Sequence, residues 1–451
     1  MFQSDAGKKY LGWDGVAAGR IGAWSVVGRW LLASAMWVGL TAAQAESLPR
    51  LLGEALKFNP SVASSQARVR SAELGVESAE WQRYPTPFFN IEASGDDAAA
   101  QRDDEEDYVA SIGVEQPLWT GGRLVAGVKK ARAAHGSSLA DAQAARQQVA
   151  LDVIEAYGGW LSAQLKYQAW AQSRDTHEAL REKVRRRAEQ GVSSASDLAL
   201  ADGRLASTRA DLNAAKAQEH VARLALARLL GRSIKTAIQP SSHEEAPQLQ
   251  HADVNALLRQ AQSQSPSVSR ATAELAVIDA EIGESESNLW PDVYLRLEYR
   301  HNGQVASNGE RSSGARVSLG MRSKLGAGFS SLTNIGALQA QHAAVLTDIE
   351  IQKRFVDEQV SADLAMLRSF IPRLKALRLS LEVAETVSES YGRQFLAGRK
   401  SWLDVMNAAR DLVNTEVQLG DAAGAALAVS WRLAVVTRGI DAVLRDIADD
   451  R

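Results

Sequence analysis

The sequence predicts a mostly α-helical chain with a small β part, built as a two-fold internal repeat in which long coiled-coil hairpins accompany four β-strands. Three observations predict this. Residues 51–91 realign on residues 257–297 without a gap: Leu51, Leu52, Ala55, Pro60, Ser61, Val62, Ala67, Glu80 and Pro85 fall on Leu257, Leu258, Ala261, Pro266, Ser267, Val268, Ala273, Glu286 and Pro291. Self-similarity over such a distance marks a duplicated unit of about 200 residues. Each copy also holds one long proline-poor stretch with heptad spacing, and a pair of short period-2 runs introduced by a proline.

The elements follow in the same order in both copies. A helix from Leu48 to Arg83, and again from Val254 to Leu289, carries an NPSV or SPSV break near its start. Pro85 and Pro291 end these helices, because proline cannot continue the hydrogen-bond ladder and biases its predecessor toward extended geometry. Strands are expected at Phe88 to Ser94 and Tyr108 to Leu118, then at Val293 to Tyr299 and Ala315 to Met321, where Ile112 and Val114, or Val317 and Leu319, alternate with small or polar residues. The loops between them, DDAAAQRDDEEDY and HNGQVASNGERSS, are too polar for a core and read as solvated tips. The acidic loop lacks the glycine and ligand spacing of a calcium-binding loop.

From Arg123 to Gln190 there is no proline, and a continuous helix there would be a rod of roughly 100 Å. Val149, Val153, Ala156, Trp160, Ala163, Tyr167 and Trp170 step alternately by four and three, a heptad seam. The second copy offers Val356, Val360, Leu367, Phe370, Leu374 and Leu377, with Asp363 out of character. Such an aromatic stripe reads as packing. Pro372 sits inside the second rod at the level of Gly158 and Gly159 in the first, which predicts a bend or bulge. Each rod stops at a glycine, Gly191 or Gly398, suited to a helix C-terminus, and the chain returns as another helix to Gly231 or to about Gly439.

The expected organisation is a signal peptide at 1–45, a first repeat at 46–231, a Ser/His/Glu/Pro-rich joint at 232–253, a second repeat at 254–439 and a tail at 440–451. The N-terminal expectation rests on RWLLASAMWVGLTAAQA (Arg29 to Ala45), a cation followed by an apolar run and a small-x-small triplet. That run is too short to cross a bilayer, which takes about 20 residues. No later stretch reads as a spanning helix either, so a membrane span must be built from strands. The 451 residues contain 51 Lys+Arg against 54 Asp+Glu and no cysteine. Removing 1–45 takes four Lys/Arg and two Asp/Glu and leaves a net charge of −5. This gives no basic field for nucleic acid. Without cysteine there is no disulfide, thiolate nucleophile, Cys-ligated metal or lipid attachment site. Seven histidines are scattered without HExxH spacing, and neither GxSxG, P-loop nor dinucleotide fingerprint occurs. An enzyme is therefore not expected, nor a cofactor or metal. A coiled-coil scaffold would satisfy the heptads but not the proline-bounded strand pairs.

The duplication, the VEQPLWTGG of Val114 to Gly122, and the paired turns QGVSSASDL (Gln190 to Leu198) and AGRKSWLDV (Ala397 to Val405) resemble the TolC family of outer-membrane channels. The resemblance covers essentially the whole mature chain. It implies a homotrimer whose strands join in a 12-stranded transmembrane β-barrel within outer-membrane lipid, above an α-barrel tunnel in the periplasm. The strand arithmetic agrees, since four strands cannot close a barrel whereas three chains supply an even number in the known range. The resemblance also implies a mixed belt around the tunnel, to which the joint and tail contribute. Partners follow from it as well: a periplasmic adaptor and an inner-membrane pump, docking at tip turns that include Gly191, Val192, Ser193, Gly398 and Arg399.

Carried over position by position, Asp404 falls where the family narrows its closed aperture with a ring of aspartates. Ser196 and Asp197 fall where a basic residue of the second turn, here Lys400, is tied. Two departures stand out: the second aspartate ring is Asn407, and a hydroxyl-bearing tyrosine of the closed-state latch aligns with Phe395. On residue chemistry alone Asp197 and Asp404 are also apt N-caps of the returning helices. The cysteine-free sequence leans toward type I secretion of a large protein such as an adhesin, driven by an ABC exporter. The alternative is a multidrug or metal efflux pump, for instance a proton-driven one.

Overall fold

The computed structural model describes residues 47–94, 107–234, 249, 252–305, 311–323 and 330–449, all within the unit Ala45–Arg451. The N-terminal segment, both strand-connecting loop tips and most of the joint lie outside the described residues. In the first repeat α1 (Leu48–Phe58) and α2 (Pro60–Trp81) precede β1 (Thr86–Ser94) and β2 (Asp107–Trp119). The rod α3 (Arg123–Glu189) and the returning helix α4 (Ala195–Leu230) follow. The second repeat runs α5 (Val254–Gln264), α6 (Pro266–Ser287), β3 (Asp292–Val305), β4 (Arg311–Arg322), α7 (Ser330–Leu396) and α8 (Trp402–Arg438), and α9 (Ile440–Asp449) closes the chain. Matching helices have matching lengths: α1 and α5 have 11 residues, α2 and α6 have 22, and α3 and α7 have 67.

The NPSV and SPSV motifs do more than break a helix. Each splits it in two, with the proline at the first position of the new helix, where its missing N–H costs nothing. The Asn59 side chain accepts from the Ser61 N–H and donates to the Leu229 carbonyl at 3.1 Å, fixing the joint onto α4. Ser265 caps α6 in the same way through the Val268 N–H.

The four strands form one antiparallel sheet in the order β1-β2-β3-β4. The two repeats thus meet inside the sheet, where Val114 pairs with Leu297 and Ile112 with Tyr299. All four strands start or end one to several residues beyond their expected limits, most of all β3, which reaches Val305. One face is apolar and exposed, carrying Phe89, Ile91, Ile112, Val114, Leu297, Val317, Leu319 and Met321. The other carries Glu115, Arg296, Glu298 and Arg300, linked as Arg296–Glu115 and Arg300–Glu298 ion pairs.

The main core lies mid-rod, where α1, α5 and α8 pack on α3 and α7 around Tyr157, Trp160, Val360, Leu364 and Leu433. The seam residues Val149, Val153, Trp160, Ala163, Val356, Val360 and Leu367 are buried, while Ala156, Tyr167, Trp170, Phe370, Leu374 and Leu377 are half-buried. Asp363 has a partner that the seam does not reveal. Its carboxylate is 6% exposed and receives a bidentate bond from Arg432 of α8, with Nε donating to Oδ2 at 2.8 Å. The tail joins this core through Val443 and an Arg146–Asp441 pair at 2.6 Å. At the near end of the joint, Arg232 clasps Glu54.

Two expectations are corrected. The helix α7 runs unbroken from Ser330 to Leu396 through an exposed Pro372, so of the expected bend or bulge the continuous helix excludes the bulge. A single missing bond in a helix of 67 residues is bridged by the turns on either side. Gly158, in an equally unbroken α3, serves a close crossing instead: a Cβ there would strike the Gly424 carbonyl and the Ala428 Cβ of α8, and one at Gly424 would strike the Gly158 carbonyl. Furthermore, α8 is by length and composition apolar enough to cross a membrane, contrary to the sequence reading. More than half of its apolar window is buried inside the protein, as a core helix requires.

Candidate functional site

At the far end of the rods the two repeats build the same turn twice. After α3, the Gly191 N–H donates to Ala188 and the Val192 N–H to Arg187. After α7, Gly398 donates to Phe395 and Arg399 to Gln394. These paired bonds form the Schellman closure, and Gly191 and Gly398 both take φ 72°, a left-handed value that glycine adopts without steric cost. The chain then re-enters helix through a capping box. Ser194 accepts from the Asp197 N–H at 3.0 Å while the Asp197 carboxylate accepts from the Ser194 N–H at 3.1 Å. Ser401 and Asp404 repeat this at 3.2 Å each way, with a further bond from the Ser401 hydroxyl at 2.8 Å. The N-caps are therefore the serines, and the aspartates occupy the third helical position, three residues later than the N-cap role the sequence suggested.

Asp404 is 42% exposed, and the Lys400 Nζ lies 4.0 Å from its Oδ2. Bonds from the Ser401 hydroxyl and backbone, followed by the Lys400 charge, hold the Asp404 carboxyl below its ordinary value, so within the protomer it stays ionised at neutral pH. Lys400 also sits 4.3 Å from the centre of the Tyr391 ring. It makes no ion pair with Asp197 among the described residues of the protomer. Ser196, Asn407, Val192 and Arg399 are exposed, and Ser193 is half-buried.

A satellite core supports these turns. Leu180, Val184, Ala201, Phe395, Trp402, Val405, Met406 and Ala409 cluster apart from the main one, and Phe395 meets Trp402 at 5.5 Å between ring centres. Phe395 lacks the hydroxyl for a latch bond, but the Arg187 guanidinium stacks 4.9 Å from its ring centre. Arg187 also donates to the Ser193 hydroxyl and the Leu396 carbonyl, each at 3.4 Å. One arginine thus joins both turns. Sequence reasoning missed it because it lies in the Arg185–Arg187 run, which reads as solvated helix surface. Its neighbours Arg185 and Arg186 do behave that way, binding Glu182 in surface pairs.

No group of three or more His, Asp or Glu among the described residues could hold a metal ion.

The family model for outer membrane efflux proteins matches residues 51–232 and 257–437. No curated protein matches. Among solved structures, CusC superposes with a TM-score of 0.77 at 18% identity, over 88% of this chain and 93% of that one. VceC from Vibrio cholerae gives 0.72 at 16% identity, covering 88% and 97%, and the open-state MtrE channel from Neisseria gonorrhoeae gives 0.70 at 17%, covering 87% and 89%. At these identities the structures establish the fold, and the two-segment family match establishes kinship. The chain belongs to the outer membrane efflux protein family: it is a non-enzymatic outer-membrane channel protein whose helical tunnel extends into the periplasm.

Proposed function

We propose that the chain forms, as a homotrimer, the exit duct of a tripartite export system whose other parts are a periplasmic adaptor and an inner-membrane pump. The observation that carries this is the incompleteness of the protomer. Among the described residues strands β1 and β4 each have an unpaired edge, and a sheet with one exposed apolar face suits a site where lipid covers that face and its edges are paired. The rods repeat the pattern: α7 exposes Phe355, Met366, Leu379 and Val383, and α4 exposes Val221 and Leu224. Two further copies supply the missing neighbours and close both barrels.

Three copies of Asp404 would then ring the axis at the tip, with Asn407 one turn further along. Like charges at close range are costly, and Lys400 lies where it can stay on its own Asp404 or be drawn to Ser196 and Asp197 of a neighbouring copy. Opening loosens these ties. The turns from Gly191 to Ser193 and at Gly398 and Arg399 are the contact surface for the adaptor. Single-channel recording in a planar bilayer tests the gate: Asp404→Ala and Lys400→Ala raise conductance, and unchanged conductance in both removes Asp404 and Lys400 from that role.

Two cargoes have separate support. The absence of cysteine favours type I secretion of a large protein such as an adhesin, fed by an ABC exporter. The family description favours efflux of small solutes, with a proton-driven pump in the exporter's place. A deletion strain distinguishes them. Loss of one exported protein with normal dye levels means secretion, and dye accumulation with normal secretion means efflux.

A further inference from the structure

At the base of the sheet, on the face opposite the apolar one, lies a cleft of about 460 Å³ lined in part by Glu115, Arg123, Asp292, Tyr294 and Arg322. The strand register places these side chains together. Asp292 pairs with Arg322, Tyr294 with Gly320, and Arg296 with both Glu115 and Ser318, so alternate residues of β3 and β4 face the same side. The charges are unequal. Arg296 is bound to Glu115, and Arg123 to Asp292 at 3.1 Å. Arg322 makes no ion pair among the described residues. It stacks instead on Tyr294, 4.9 Å from the ring centre.

The stack is built rather than incidental. Arg296 also lies 5.5 Å from the Tyr294 ring centre and 5.0 Å from that of Phe88, so Phe88, Arg296, Tyr294 and Arg322, from β1, β3 and β4, form one continuous set of ring–guanidinium contacts. A side chain at Gly320 would collide with the Tyr294 ring, so the glycine provides the space in which that ring lies flat. A guanidinium held against an aromatic face keeps its N–H edge available to an outside acceptor, because the ring satisfies only the flat side.

We infer that Arg322, presented by Tyr294 at the cleft, is an anion-binding site on the inner wall of the barrel, and that its three copies form an anion-selecting ring where the tunnel enters the barrel. The ligands are anionic groups of the carboxylate or phosphate kind on whatever passes through. Three arginines and two carboxylates meet at this level in each protomer, so the trimer carries three uncompensated positive charges there. Rings of arginine or lysine are a known means of favouring anions in pores. The inference rests on the duct reading for its trimer.

The test is the reversal potential of the full-length protein in a planar bilayer under a potassium chloride gradient, with chloride as the probe. Each Arg322 variant is measured in the otherwise wild-type chain and with Asp404→Ala, which takes the tip's own charge out of the reading. Arg322→Glu is expected to move the chloride-to-potassium permeability ratio several-fold toward potassium, Arg322→Gln to move it less, and Arg322→Lys to preserve it. Arg70→Gln, at an exposed charge on α2 away from the sheet, is expected to leave it alone. Conducting channels whose ratio is the same in Arg322→Glu as in the parent, in both backgrounds, overturn the anion ring. Absence of any channel from the wild-type protein overturns the duct reading as well, so the two failures are told apart.

Discussion

Replacing Asp363 by alanine removes one half of the ion pair between the rod α7 and the returning helix α8. The Asp363 side chain is 6% exposed and that of Arg432 is 29% exposed. The mutation therefore strands a guanidinium that has limited access to water. Breaking a buried pair from one side costs roughly 3–5 kcal/mol. Arg432 keeps some solvent and the favourable charge of Glu155, which puts Asp363→Ala at the lower end, about 3 kcal/mol. Arg432→Met is expected to cost more, because the carboxylate it abandons is the more deeply buried partner. The double change Asp363→Leu with Arg432→Met replaces the pair by apolar groups and is expected to return close to wild type. The assay is unfolding of detergent-solubilised trimer followed by circular dichroism, with Asp363→Leu added as the matching single so that it, Arg432→Met and their double close a double-mutant cycle. A loss under about 1 kcal/mol in Asp363→Ala, or a double mutant no more stable than the singles, would refute the reasoning.

The crossing of α3 and α8 supplies a paired test: Gly158→Ala overpacks against Gly424 and Ala428 and is expected to destabilise by about 1–3 kcal/mol. Its neighbour Gly159→Ala, whose Cβ meets nothing within 4 Å, is expected to be neutral or to stabilise by about 0.5–1 kcal/mol, both read from melting curves. Ser194→Ala and Ser401→Ala each dismantle a capping box at a cost of about 1 kcal/mol, visible as faster amide exchange at the starts of α4 and α8 and nowhere in the sheet. Burial, and secondarily the Arg204 charge, pushes the His177 imidazole below its ordinary value. A depressed histidine favours the neutral form in the folded state, so its contribution is full above the ordinary value near 6.5 and declines as pH falls through it. Amide protection factors around His177, exchange rates corrected for the intrinsic pH dependence, are expected to fall between pH 7 and 5 in the wild type and to change less in His177→Gln.

What the sequence made legible was whatever is written in periodicity and punctuation. The rods, their glycine stops, the proline-led strands and the duplication are all one-dimensional patterns, and Val153, Trp160 and Val360 are buried as the heptads required. What stayed hidden depended on a partner distant in the chain. Asp363 breaks its seam until Arg432, from the other arm of the hairpin, is beside it. Gly158 invites a bend until Gly424 arrives to fill the gap. Pro372 did not interrupt the helix, because one missing hydrogen bond is a small loss in a helix of 67 residues. At the tip the aspartates were visible as capping residues, but the serines that take the N-cap position were not, and Arg187 was concealed by two similar neighbours.

The equal lengths of the paired helices explain why a duplicated chain suits a duct. With α3 and α7 both at 67 residues and a single sheet at one end, the two turns come out at the same level at the other end without any further device. Sequence divergence between the copies is then free to act there. The first turn is Val192-Ser193-Ser194-Ala195-Ser196, small and polar, whereas the second is Arg399-Lys400-Ser401-Trp402-Leu403, with Trp402 driven into the satellite core against Phe395. The two hairpin ends share that core, to which the first contributes Leu180, Val184 and Ala201, and the guanidinium of Arg187 adds a polar link between the two turns. With Phe395 buried and Arg187 half-buried, this cation–π contact and the two hydrogen bonds of Arg187 add to the packing of the shared core. The main core at mid-rod, by contrast, buries its largest side chains completely. The tip and the mid-rod core are thus two separate hydrophobic clusters, so a substitution in the tip cluster is expected to leave the packing around Tyr157 and Trp160 in place.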